Sequence, residues 1–185
     1  MTRKLSLFLS GMFIIIPGLL LIVLHPAPFE TIRHTLIASL VPATILGILT
    51  AIKRYREHVQ FVYQEIHTIG LLIYVIAIVS FCYSFENLNK YSIFLFMFYA
   101  VSEIIFCSLL FNLKGRVILN SLIIRIALSF IIGIGATIIV STQEILQTTK
   151  LIGFGVVFAL MGINALLYQP IMQQERLPIS DSSAR

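Results

Sequence analysis

Two residues of opposite charge, Glu103 and Arg125, interrupt apolar runs that are long enough to cross a bilayer. A charge near the bilayer centre costs about 2.5–3.5 kcal/mol on insertion scales, so such residues pair with each other or line a wet cavity. Glu103 lies eleven residues before Lys114, and Arg125 lies eleven residues after it. If Lys114 marks a tight turn between antiparallel helices, both charges lie about 16 Å from that turn, at about 1.5 Å per residue. The spacing therefore predicts an ion pair matched in depth.

Polar side chains at helical spacing accompany the two charges on their predicted helices. The residues that we expect to line the pair are Tyr99, Ser102, Cys107, Ser121 and Ser129. Three interpretations stay open at this point. The pair is a buried clamp that fixes helix register, or a polar pathway in which Glu103 exchanges protons or binds a cation. The third interpretation is a counter-ion site for a lipid head group or a small ligand.

Four histidines offer further titratable groups, and two of them lie near the predicted outer surface. His25 and His34, with Glu30 nearby, are candidate sensors of external acid, because imidazole titrates between about pH 5 and 8. The alternative is that they are ordinary interfacial loop residues. Glu65 and His67 lie two residues apart on a predicted helix and so point to different faces. They predict no metal site.

Soluble-enzyme signatures are missing from the sequence. It contains no His-Glu-x-x-His, Gly-x-Ser-x-Gly, P-loop or Gly-x-Gly-x-x-Gly dinucleotide turn. We therefore predict a protein that is not an enzyme, with no catalytic residue, no bound cofactor and no metal site.

The composition is typical of an integral membrane protein. The 185 residues are 58% hydrophobic and 11% charged, whereas soluble domains carry about 25% charged residues. Unbroken apolar runs of about 20 residues favour helices over the alternating strands of a barrel. The sequence predicts one all-α domain over 1–168, followed by a polar cytoplasmic tail over 169–185. Its six transmembrane helices are predicted at 5–24, 32–52, 66–85, 91–113, 117–140 and 151–168.

The basic residues predict the orientation of the bundle. Nine of them fall on the side that holds both termini, three fall on the other side, and Arg125 lies within a span. By the positive-inside rule, both termini are expected in the cytoplasm. The net charge of +5 is then concentrated at the inner face, where anionic lipids attract it. We expect the lipid bilayer as the partner, and no nucleic acid.

Self-similarity along the chain predicts three repeated helical hairpins, at about 5–56, 64–116 and 117–168. Aligning them superposes Gly18 with Ala77 and Gly135, at offsets of 59 and 58 residues. Small residues also recur every four positions in the second and fifth spans, which lets helix backbones approach closely within one chain or between copies in a homo-oligomer. Two prolines within spans, Pro17 and Pro42, predict helix kinks.

A wider resemblance follows from the glycine-punctuated hairpins Ser10-Gly11-Met12, Pro17-Gly18-Leu19-Leu20-Leu21-Ile22, His25-Pro26 and Ile45-Leu46-Gly47-Ile48. This pattern resembles the HdeD-like acid-resistance membrane proteins, although the chain has no tryptophan and carries Glu103 at a repeat position of glycine. The resemblance implies a bacterial inner-membrane protein with six spans and a role in acid stress.

Two functional hypotheses result. The first is a multi-pass membrane protein with a structural or stress-response role and no catalytic activity. The alternative is a small channel or transporter that uses the polar site at Glu103 and Arg125.

Overall fold

The protein is all-helical in a computed structural model, which describes residues 3–56, 63–110, 116–141 and 146–168. Five of its helices contain apolar stretches long enough to cross a membrane, and α3 contributes the shorter apolar stretch Ile66–Phe81. The predicted all-α membrane fold is confirmed. The predicted turn at Lys114 and the tail over 169–185 lie outside the described residues. The helices are α1 (Arg3–Leu24), α2 (Phe29–Arg56), α3 (Tyr63–Phe81), α4 (Phe85–Leu110), α5 (Arg116–Ser141) and α6 (Gln147–Leu166).

The connection between α3 and α4 corrects the predicted helix ends. The sequence predicts a third span that continues to Phe85 and a fourth that begins at Tyr91, but α3 ends at Phe81 and α4 begins at Phe85. The Ser84 hydroxyl accepts a 3.3 Å hydrogen bond from the Asn87 backbone N–H, as an N-cap residue does. Hydropathy misses this start because the first turns of α4 are polar.

Arg33 of α2 stabilises the last turn of α3. Its Nε donates to the Ile78 carbonyl at 3.2 Å, and its Nη2 donates to the Val79 carbonyl at 2.8 Å. The last carbonyls of a helix have no partner within that helix, and a basic side chain can satisfy them. Arg33 therefore joins two helices.

The helices close into a ring. Each one packs against the next in the chain, and α6 returns to pack against α1. Because successive helices run in opposite directions, α1 begins and α6 ends on the same side of the bundle, which we call the terminal face. Contact between α4 and α6 fills the centre, where Phe96 packs against Phe154 and Phe158 with ring centroids 5.6 and 5.0 Å apart.

Backbones meet along a glycine seam, formed by Gly11 and Gly18 of α1 with Gly155 and Gly162 of α6. A Cβ added at Gly18 would lie 2.5 Å from the Gly155 carbonyl oxygen, and one added at Gly162 would lie 2.7 Å from the Gly11 oxygen. No larger residue fits at these distances. Glycine here gives the close approach that associates helices in lipid, where apolar burial between helices brings little gain.

The internal repeat stays a prediction. The aligned glycines have different surroundings, since an added Cβ would meet backbone atoms at Gly18 but only the Val157 side chain, at 3.7 Å, at Gly135. Pro17 and Pro42 lie inside α1 and α2, and both helices continue on either side of them.

Candidate intramembrane ion-pair site

Glu103 and Arg125 are in contact across the boundary between α4 and α5. The Glu103 Oε1 and Arg125 Nη2 atoms are 2.5 Å apart, and both side chains are 0% exposed. The two helices run antiparallel, so residues equally distant from the connection between them meet at one depth. This is the arrangement that the spacing of the two charges predicts, and it puts a complete ion pair inside the bundle.

A third titratable side chain, His67 of α3, reaches the same carboxylate. Its Nε2 lies 3.4 Å from Glu103 Oε2 and 3.3 Å from the Ser102 hydroxyl. The Tyr99 ring meets the imidazole edge-on at a centroid distance of 4.5 Å. We call His67, Glu103 and Arg125 the charged cluster. It joins three helices through one carboxylate.

The place of His67 in this cluster was not predicted, because its charged neighbour on the same helix, Glu65, lies on a different face. A usable signal is present. His67 has helical spacing with Leu71 and Tyr74, and all three are buried. A histidine on the buried face of a membrane helix is expected to meet a polar partner, because an unpaired polar group in hydrocarbon is costly.

Aromatic rings and a thiol enclose the ion pair. The Arg125 guanidinium carbon lies 5.6 Å from the Phe106 ring centroid and 5.1 Å from that of Tyr168, within the range of a cation–π interaction. The Cys107 thiol donates to Glu103 Oε1 at 3.4 Å. The guanidinium is therefore held both by charge and by stacking.

Hydrogen bonds continue from the cluster towards α6. The Ser129 hydroxyl donates to the Arg125 carbonyl at 2.8 Å, and Asn164 Nδ2 donates to the Ser129 hydroxyl at 3.4 Å. Asn164 is fully buried, and its Oδ1 has no hydrogen-bond partner within the part of the chain that the structure describes. The amide oxygen of Asn164, which is linked to the ion pair through Ser129, can therefore accept a further hydrogen bond.

Five residues were predicted to line the pair, and they divide into two groups. Cys107 contacts Glu103, Ser102 contacts His67, and Ser129 contacts the Arg125 backbone. The other two hydroxyls bond to backbone carbonyls in and just after α6: Tyr99 donates to Met161 at 3.3 Å, and Ser121 donates to Leu167 at 2.8 Å. These two tie the helices around the cluster together.

The predicted acid sensors lie apart from the cluster. His25 Nδ1 is 2.9 Å from the Ile22 carbonyl oxygen. His34 Nδ1 is 2.6 Å from the Glu30 carbonyl oxygen and 3.8 Å from Glu30 Oε2. Both histidines lie near the side of the bundle opposite the terminal face. Within the described ranges, no three His, Cys, Asp or Glu residues are grouped as metal ligands.

Comparison with protein-family models, curated proteins and solved structures finds no match for this chain. The resemblance to HdeD-like proteins stays a prediction. A carboxylate that contacts both an imidazole and a guanidinium can accept a proton from the imidazole when the imidazole is protonated, while the guanidinium stabilises the ionised form of the carboxylate.

Proposed function

We propose that this chain is a small multi-pass transport protein whose transport step depends on proton exchange at Glu103. The observation that carries the proposal is the position of one fully buried carboxylate between two basic groups on two other helices. Arg125 contacts one of its oxygens, and His67 Nε2 lies 3.4 Å from the other. A clamp between helices needs only the first of these contacts.

His67 supplies a route for protons between the cluster and the terminal face. It lies four residues after Tyr63, where α3 begins at that face, so about one helical turn separates it from the helix end. Imidazole is the side chain whose ordinary pKa lies nearest neutrality, which suits it to pass protons in both directions. A proton that arrives from the terminal face would meet His67 first and Glu103 second.

The arginine gives the exchange a mechanical consequence. While Glu103 is ionised, its bond to Arg125 holds α4 against α5. When Glu103 is protonated, that charge-assisted bond weakens, and the contact between the two helices loosens. A protonation step of this kind can couple proton movement to a change in helix packing, which is the general requirement of a transporter.

The test is proton flux into proteoliposomes under an imposed pH gradient, followed by an enclosed pH-sensitive dye. We expect flux with the wild type and its loss in Glu103→Gln. The matched control is Glu86→Gln, which removes an exposed carboxylate paired with Lys90 at the start of the same helix. Circular dichroism of both variants checks folding. Wild-type flux in a folded Glu103→Gln variant would contradict the proposal.

A structural stress-response protein of the acid-resistance type is the second candidate, with a bacterial inner membrane as its location and no catalytic activity. The enclosure of Arg125 by the Phe106 and Tyr168 rings favours it, because a clamp benefits from a fixed guanidinium. A deletion strain should then lose survival in acid, and the exchange variant Glu103→Arg/Arg125→Glu should restore it. Normal survival of the deletion strain would contradict this role.

A further inference from the structure

A groove opens between α4 and α5 on the outside of the bundle. It encloses about 310 Å³, at the lower end of the range of about 300–1,000 Å³ for small-molecule pockets. Val101 and Ile134 on its walls are 52% and 57% exposed, so in a membrane the groove faces lipid. We call it the α4/α5 groove, and it is lined by Met97, Ala100, Val101, Ile104, Ser129, Phe130, Gly133, Ile134, Thr137 and Ile138.

One end of the groove lies beside the charged cluster, although none of the three cluster residues lines it. Ile104, at this end, follows Glu103 in α4, and Ser129 lies one turn beyond Arg125 in α5. The Ser129 hydroxyl bonds to the Arg125 carbonyl and accepts from Asn164, whose Oδ1 has no hydrogen-bond partner in the described residues. The lipid-facing groove therefore reaches Ser129, which is hydrogen-bonded to the Arg125 backbone.

Gly133 leaves the floor of the groove open. A Cβ at this position would meet only the Ala100 Cβ, at 3.5 Å, which is an ordinary contact. A Cβ at position 133 is therefore accommodated, and the atoms of a larger side chain beyond it would compete with a ligand for the groove that Gly133 lines. This contrasts with the glycine seam, where an added Cβ would collide with backbone.

The net charge of the cluster restricts which ligand can bind together with a proton. The groups that face Glu103 are His67 from α3, Cys107 from α4 and Arg125 from α5, with Tyr168, after α6, stacked on the arginine. Each proton that this cluster takes up adds one positive charge inside the bilayer, where an uncompensated charge is costly. An anion that arrives with the proton removes that cost, and it also replaces the carboxylate that Arg125 loses.

We propose that the site binds a single-chain amphiphile with one anionic head group, which enters from the lipid through the α4/α5 groove. Its alkyl chain occupies the groove, and its head group takes the place of the Glu103 carboxylate at Arg125 as Glu103 is protonated. This inference rests on the proposed function and names its substrate class. The complementary charge of Arg125 decides in favour of an anion over a cationic or uncharged amphiphile.

The probe is decanesulfonate, added to the protein in phosphatidylcholine nanodiscs in weakly buffered solution at pH 7. A sulfonate stays anionic at this pH, so any proton taken up on binding must go to the protein. We expect saturable binding with uptake of about one proton per bound probe, measured with a pH indicator and corrected with empty nanodiscs. Decyltrimethylammonium, with the same chain and a cationic head, should not bind at this site.

Two leucine variants of α5 test the route. Gly133→Leu fills the groove and should weaken decanesulfonate binding at least tenfold. Gly135→Leu is the control, because a Cβ there would lie 3.7 Å from Val157 and outside the groove; it should bind like the wild type.

Three results would overturn the inference: equal binding of the cationic amphiphile, binding without proton uptake, or wild-type binding by Gly133→Leu. Proton flux that depends on Glu103 and persists alongside any of these results would leave the transport function standing. Wild-type flux in a folded Glu103→Gln variant would instead contradict the proposed function itself. The two failures are therefore distinguishable.

Discussion

Two regions of the bundle hold their helices together by opposite means. In the glycine seam between α1 and α6, backbones approach so closely that a Cβ at Gly18 would lie 2.5 Å from the Gly155 oxygen. In the charged cluster, α3, α4 and α5 are joined by side chains of full size, with Glu103 and Arg125 0% exposed. The seam contains no ionisable group, whereas the cluster concentrates three of them.

The association of helices does not by itself require buried charges. Small residues suffice to join helices in lipid, because close packing supplies the attraction without burying any charge. Buried charges give the same result at a cost of several kcal/mol before pairing is counted. Close backbone packing joins α1 to α6, whereas buried charges join α4 to α5 at a higher cost in free energy. We interpret the presence of these buried charges, despite the free energy of burying them, as a sign that the bundle needs a group that can gain and lose a proton.

Removing the positive charge should have the largest effect on stability. Arg125→Met keeps much of the side-chain volume but leaves the Glu103 carboxylate buried without its guanidinium. We expect a loss of about 3–5 kcal/mol in the free energy of unfolding, measured by reversible unfolding in mixed detergent micelles. The double variant Glu103→Gln/Arg125→Met should recover most of this loss. A single variant as stable as the wild type would show that the pair contributes little.

The seam gives the next largest effect. Gly18→Ala introduces a methyl group against the Gly155 backbone, so α1 and α6 must separate, at a cost of about 1–3 kcal/mol. Gly135→Ala adds the same methyl at 3.7 Å from a side chain and should be neutral or slightly stabilising. Both are measured in the same unfolding assay. Equal stabilities of the two variants would contradict the close backbone contact.

The smallest effect is expected at the link between the ion pair and α6. Ser129→Ala removes the donor to the Arg125 carbonyl and the acceptor for Asn164, so it should cost about 1 kcal/mol. Thr137→Ala is the control, because Thr137 is exposed and its hydroxyl donates within α5, to the Gly133 carbonyl at 2.8 Å. A greater loss of unfolding free energy in Thr137→Ala than in Ser129→Ala would contradict the role of Ser129 in linking the ion pair to α6.

Charge spacing and apolar run length were sufficient to predict much of this fold. The all-α membrane class follows from runs of about 20 apolar residues, and the depth match of Glu103 and Arg125 follows from their equal distance to one connection. Both predictions depend only on distances along the chain. Such distances are fixed by helix geometry before any packing is known.

What the sequence could not supply depends on contacts between helices that are distant in sequence. His67 meets Glu103 across 36 positions because α3 packs against α4, and no periodicity within one helix encodes that contact. The start of α4 at Phe85 was missed for a different reason. There a capping hydroxyl, Ser84, sets the helix start, while hydropathy follows only the apolar residues that come later.

Infrared difference spectroscopy observes the protonation of Glu103 directly. Purified protein in nanodiscs is taken from pH 8 to pH 5, and the carbonyl stretch of a newly protonated carboxylic acid is recorded. We expect this band in the wild type and in the control Glu86→Gln, its loss in Glu103→Gln, and an altered pH midpoint in His67→Gln. A band that is unchanged in Glu103→Gln would contradict proton exchange at this residue.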